Sequence, residues 1–169
     1  MKYKALMLDL DDTTLLLGKV NLPSARVATA IAKAKKKIHV CIATGRPLEM
    51  TLPGLEHLEL SGPCIVNNGT QIYDPVKKQL IHEVALDKKK IPSIYKICKK
   101  FRLPLLWNDG VMEAEYRGGE LPKKVISIYM PAVDPKRTDE YIEEFQKIVG
   151  VAVHKLQSWY KDYLSIEIT

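Results

Sequence analysis

Aromatic side chains are scarce in this sequence: two Phe, two Trp and eight Tyr among 169 residues. Proteins that hold single-stranded nucleic acid interleave aromatic faces with their basic residues. Here the basic runs Lys35-Lys36-Lys37, Lys88-Lys89-Lys90, Lys99-Lys100 and Lys123-Lys124 carry no such interleaving and no groove-reading motif. The formal charge of +6 is therefore read as solvated helix and strand ends, with no nucleic-acid partner and a mild field that favours an anionic small molecule. Cysteine is equally sparse. Cys41, Cys64 and Cys98 are odd in number and lack paired spacing, which excludes a disulfide scaffold and makes them small core hydrophobes. Long apolar runs are missing, so no membrane-spanning segment is expected. The stretch Ala5-Leu6-Met7-Leu8 is too short for a signal peptide and ends in a carboxylate. A reducing cytoplasm is the expected setting. Internal repeats and low-complexity linkers are absent too.

What remains is an ordinary globular composition, 46% apolar and 27% charged, enough for one sizeable core or two small ones. Tyr3 to Leu10 is almost wholly apolar without alternation, which suits a strand buried on both faces. Helical spacing follows at Val27, Ala30, Ile31 and Ala34, with Pro23 or Ser24 at its start and three lysines at its end. Ile38–Ala43 reads as a second buried strand, about Pro47–His57 as a short, Pro-broken helix, and Pro63–Val66 as a third strand. This β-α-β-α-β order predicts a parallel sheet with right-handed crossovers. Asn68-Gly69 predicts a two-residue hairpin turn into Gln71–Tyr73.

A second region, 83–169, follows. It is read as a helix bearing Ile91, Ile94, Tyr95 and Cys98, then a hairpin turning at Asn108-Asp109-Gly110 and a strand at Val125–Met130. Next comes a helix begun by Asp134-Pro135, with Tyr141, Phe145, Ile148 and Val149 on its buried face. Two strands end the chain. The last alternates Leu164, Ile166 and Ile168 against Tyr163, Ser165 and Glu167, predicting a sheet with one covered face.

Ligands of open parallel sheets bind beyond the carboxyl ends of the strands. Asp9, Asp11, Asp12, Thr13 and Thr14 follow the first strand; Thr44, Gly45 and Arg46 the second; Asn67, Asn68 and Gly69 the third. Two carboxylates two residues apart repel unless a hard cation lies between them. A carboxylate held by such a cation in a dry site can attack phosphorus, and its neighbour can protonate the leaving oxygen and activate water. Thr44 can donate to a phosphate oxygen, and Arg46 can meet anionic charge bidentately. Read one at a time these residues have blander uses. The aspartates suit a turn after a strand, Arg46 a helix start, and Asn68 a positive-φ turn position. Their convergence is what points to phosphoryl transfer.

The segment MLDLDDTTLL resembles the first motif of the haloacid dehalogenase superfamily, an apolar strand followed by D-x-D-x-T. IHVCIATGR resembles the second motif, and IVNNG before a hairpin and a large α+β insert is similar to the Cof-type, subfamily IIB sugar-phosphate phosphatases. The resemblance implies an α/β fold. A partial, parallel, Rossmann-like core at 1–82 would carry motifs I and II, with an inserted α+β cap of type C2 at 83–169. It implies a Mg²⁺-dependent phosphatase of a small phosphorylated metabolite. Asp9 would be nucleophile and metal ligand. Asp11 would be the general acid/base, with its carbonyl also on the metal. Asp12, Thr13, Thr44, Gly45, Arg46 and Asn68 would line the phosphate and substrate. A phosphomutase would share the aspartyl-phosphate chemistry.

The sequence departs from that pattern in three places. Asp12 stands where Cof-type members usually have Gly, and Thr14 replaces a usual Leu, which would loosen the turn. The family's third and fourth motifs, a Lys and an acidic pair, are not found before Thr169. The expectation is therefore an impaired enzyme, or a non-catalytic binding module. The edge of the first strand would pair with a second copy or with a complementing C-terminal polypeptide.

Overall fold

The computed structural model describes residues 3–15 and 22–169. Leu16, the last residue of the first motif, lies outside them. The chain divides into two compact units, Met1–Val84 and Ala85–Thr169, each with its own apolar core. No described helix is long and apolar enough to cross a membrane.

In the first unit β1 (Ala5–Leu8), α1 (Ala25–Lys35), β2 (His39–Ile42), α2 (Leu48–Leu58) and β3 (Cys64–Val66) alternate in order. β1 and β2 pair in parallel with Leu8 opposite Ile42. One parallel bridge, Ala43 to Ile65, joins β2 to β3. The three strands thus end level with one another, which brings the segments that follow them to the same edge. β4 (Gln71–Asp74) and β5 (Gln79–Glu83) continue antiparallel beyond β3.

α1 begins where Ser24 accepts the Val27 N–H, a side-chain N-cap. Near its end Lys35 Nζ donates to the carbonyls of Leu58 and Glu59, each at 2.6 Å. A cation there neutralises the negative end of α2. Ile31, Val40, Ile42, Leu55 and Leu58 pack with Leu10 and Leu15 into this core.

Three expectations change. β1 is not buried on both faces: among the described strands it pairs with β2 alone, and Leu6 and Met7 are 37% and 50% exposed. α2 runs unbroken through Pro53. Proline there costs one intrahelical hydrogen bond, and the helix continues around Leu52, Leu55 and Leu58, which face the core. The β3–β4 connection is not a two-residue turn. Val66 pairs with Gln71, so Asn67-Asn68-Gly69-Thr70 forms a four-residue loop with positive φ at Asn67, Asn68 and Gly69.

The second unit orders its sheet β7-β6-β8-β10-β9. Its strands are β6 (Leu106–Asn108), β7 (Glu113–Glu115), β8 (Ser127–Val133), β9 (Val153–Gln157) and β10 (Leu164–Ile168). α3 (Ile91–Phe101) and α4 (Thr138–Gln146) supply Ile91, Ile94, Cys98, Tyr141 and Phe145 to the core against Ile128, Met130, Ile166 and Ile168. α4 begins three residues after the Asp134-Pro135 expectation. Asp134 instead forms the preceding turn, its carboxylate accepting the Lys136 N–H and its carbonyl the Thr138 hydroxyl. Val149 lies past the helix end and is 82% exposed, contrary to the expected buried stripe. The alternation of β10 is chemical rather than one of exposure, for Ser165 and Glu167 are buried as well. Ser165 shares a 2.8 Å hydrogen bond with the Tyr129 hydroxyl.

Candidate active site

The loop after β1 is a tight turn stapled at its base. The Leu10 carbonyl accepts the N–H groups of Thr13, Thr14 and Leu15 at 3.4, 2.9 and 2.7 Å. Buried Leu10 and Leu15 anchor it in the core. The Asp9 carboxylate accepts the Leu10 N–H at 2.7 Å, which fixes one oxygen of this exposed residue. Asp12 has φ 54°. That is a left-handed position, where Gly is free and Asp is among the residues that tolerate it, so the substitution at this position keeps the turn. Thr14 does the opposite of loosening it. Its buried hydroxyl donates to the Asp9 carbonyl at 2.6 Å.

Behind β2, Thr44 is buried and its N–H bonds the Ile65 carbonyl at 3.0 Å. Its hydroxyl oxygen accepts the Arg46 N–H at 3.2 Å, which leaves the hydroxyl hydrogen to donate to an anion. Arg46 turns back towards β1. Its Nη2 lies 2.6 Å from Asp11 Oδ1, and its Nε lies 3.2 and 3.0 Å from Oδ1 and Oδ2. The Arg46 side chain is 10% exposed and that of Asp11 32%. Gly45 is where the third loop crosses the second: a Cβ built there would stand 2.6 Å from Asn68 Oδ1.

The third loop is held from beneath. The Asn67 N–H bonds the Arg46 carbonyl at 2.9 Å. The Asn67 carbonyl accepts the Thr70 hydroxyl at 2.7 Å. Its amide donates to Gln71 Oε1, and Gln71 donates onward to Glu83 at 2.7 Å. Sequence reasoning missed this Asn67–Gln71–Glu83 chain, as well as the tie from Thr14. The only cue was polar residues at positions whose apolar neighbours form strands. Among the described residues no cluster of three or more His, Cys, Asp or Glu could hold a metal ion.

All of the residues expected at the site lie on the three loops at this one edge. Hard oxygen donors for a cation are the Asp9 carboxylate and the Asp11 backbone carbonyl, since the Asp11 carboxylate is engaged by Arg46. One carboxylate and one carbonyl fit part of a Mg²⁺ sphere, an ion that completes its shell with water and phosphate oxygens. The arrangement brings an exposed carboxylate, a second carboxylate paired with a guanidinium, and a hydroxyl to one edge of the sheet.

A comparison with curated proteins yields no match, whereas 62 chains of solved structure match. A haloacid dehalogenase-like hydrolase from Bacteroides thetaiotaomicron is 20% identical with a TM-score of 0.77, over 99% of this chain and 71% of that one. A phosphatase of the haloalkanoate (HAD) superfamily from the same organism is 16% identical with a TM-score of 0.76, over 98% and 66%. A HAD subclass IIB sugar phosphatase is 17% identical with a TM-score of 0.71, over 99% and 70%. The chain thus spans about two thirds to seven tenths of the length of these proteins. The likenesses show the fold, a Rossmann-like α/β core with an α+β cap. The model of the haloacid dehalogenase-like hydrolase family matches residues 6–168, and the chain belongs to that family.

Proposed function

We propose that the site is that of a Mg²⁺-dependent phosphomonoester hydrolase acting on a small, sugar-phosphate-like metabolite in the cytoplasm. The observation that carries this reading is the convergence of Asp9, the Asp11–Arg46 pair and the Thr44 hydroxyl beyond three level strand ends. The sugar phosphatase among the similar structures supports the substrate class.

An oxygen of Asp9 attacks phosphorus. The new O–P bond forms as the ester P–O bond breaks, and the leaving oxygen takes a proton from Asp11. Water, deprotonated by Asp11, then attacks phosphorus and frees Asp9. Thr44 donates to the transferring phosphoryl group, with Asp12, Thr13, Gly45 and Asn68 lining its surroundings. A bound Mg²⁺ would supply charge neutralisation and orientation, with Asp9 and the Asp11 carbonyl as its protein ligands.

The outer edge of β1 is the proposed attachment surface for a second copy or a complementing polypeptide. Turnover of p-nitrophenyl phosphate with and without Mg²⁺, in the wild type and in Asp9→Asn, tests the chemistry. Hydrolysis that survives Asp9→Asn would sink it.

A further inference from the structure

Arg46 was expected to meet the substrate, yet its guanidinium is committed to Asp11 by three contacts of 2.6, 3.0 and 3.2 Å. We propose that Arg46 is a positioning residue for Asp11, fixing the rotamer and orientation of its carboxylate; this rests on the phosphatase reading above. The two oxygens are held unequally. Oδ1 receives the short Nη2 contact as well as a share of Nε, whereas Oδ2 receives only Nε at 3.0 Å. Oδ1 is the anchor. Oδ2 is the more loosely held of the two.

The guanidinium can serve in this way because its own backbone is fixed on both sides. The Arg46 N–H is bonded to Thr44 Oγ1 and its carbonyl to the Asn67 N–H. One residue therefore sets the rotamer of the second aspartate, the lone-pair direction of the phosphate-binding hydroxyl and the height of the third loop. A planar, forked cation is needed for the first of these tasks, and an ammonium cannot replace it. The charge of Arg46 also offsets one of the two carboxylates that crowd this strand end.

The test uses the full chain with Mg²⁺ and two substrates, p-nitrophenyl phosphate and glycerol phosphate, whose leaving oxygens differ widely in their need for a proton. In Arg46→Gln, kcat for the alkyl ester should fall about 100-fold or more, the range of a lost acid catalyst, with KM changing less than about 3-fold. The aryl ester should lose much less. Arg46→Lys should recover little of the alkyl rate. Adding Arg46→Gln to Asp11→Asn should cost nothing further, because both act through one carboxylate.

A rise in KM on both esters with kcat unchanged would make Arg46 a substrate ligand and overturn the proposal, as would additive losses in the double variant. A wild type silent on both esters would overturn the phosphatase reading instead. The positioning is then read from Arg46 Nε–H exchange by NMR. Slow exchange in the wild type that becomes fast in Asp11→Asn supports it, and fast exchange in both refutes it.

Discussion

Thr14 Oγ1 donates to the Asp9 carbonyl at 2.6 Å, so the loop that carries the candidate nucleophile is closed by the residue five positions beyond it. Thr14→Val keeps the shape but removes the donor to a part-buried carbonyl. Stability should fall by about 1–2 kcal/mol, the usual cost of such a loss, while Thr14→Ser should stay close to wild type. Denaturant midpoints compare the two, and turnover in Thr14→Val should drop because Asp9 is no longer held at the start of a fixed turn.

Gly45→Ala should displace Asn68 rather than unfold the chain. The added methyl would lie 2.6 Å from Asn68 Oδ1, the far end of a side chain that can rotate away. The expected loss of stability is below about 1.5 kcal/mol, with a larger effect on turnover than on melting temperature. In an Asn68→Gly background the same alanine should be almost neutral. A clear penalty there would mean that the backbone, and not the amide, is what Gly45 accommodates.

Burial pushes the Cys64 thiol up to about 11 and the Cys98 thiol up to about 12, from 9.0 in an open chain. Their folded values are raised, so the stability they contribute is complete below pH 9. It is lost as pH rises from 9, where the unfolded thiols ionise first, through about 11 to 12. Denaturation midpoints should therefore fall above pH 9, and less steeply in Cys64→Ala/Cys98→Ala. A thiol reagent at pH 8 should modify the native cysteines only slowly, and all three at once in guanidinium.

How much was legible beforehand follows from the range of each signal. The strand ends and their polar residues are local patterns, so Asp9, Thr44 and Asn68 could be placed at one edge from spacing alone. Arg46 could not be assigned a partner, because Asp11 stands 35 residues earlier and only the register of β1 on β2 brings them together. Val149 misled because helical spacing continued past the point where α4 stops at Gln146. β1 was misread on both faces for a similar reason: an apolar run reports what a strand can bury, not what covers it.

That strand carries its own test. His39 N–H bonds the Lys4 carbonyl and Ala43 N–H bonds the Leu8 carbonyl, so the alternate residues Ala5 and Met7 turn their backbone groups to the other edge. An apolar edge of this kind favours association. Light scattering across a concentration series should show species heavier than 19.1 kDa, and Met7→Lys should shift the distribution towards the monomer. A wild type that stays monomeric at every concentration rules out self-association through β1.

The loop at Asn68-Gly69 has a further consequence, on the timescale of storage rather than of turnover. An asparagine followed by glycine is the pair most open to cyclisation through the next backbone nitrogen, and its hydrolysis leaves a carboxylate or an isomerised backbone. Here Asn68 holds φ 50° with its side chain pressed over Gly45, an arrangement that slows such ageing only while the fold is intact. Once converted, the residue would place a negative charge beside the site proposed to take a phosphate ester. Shelf life and the proposed activity are thus tied to one amide.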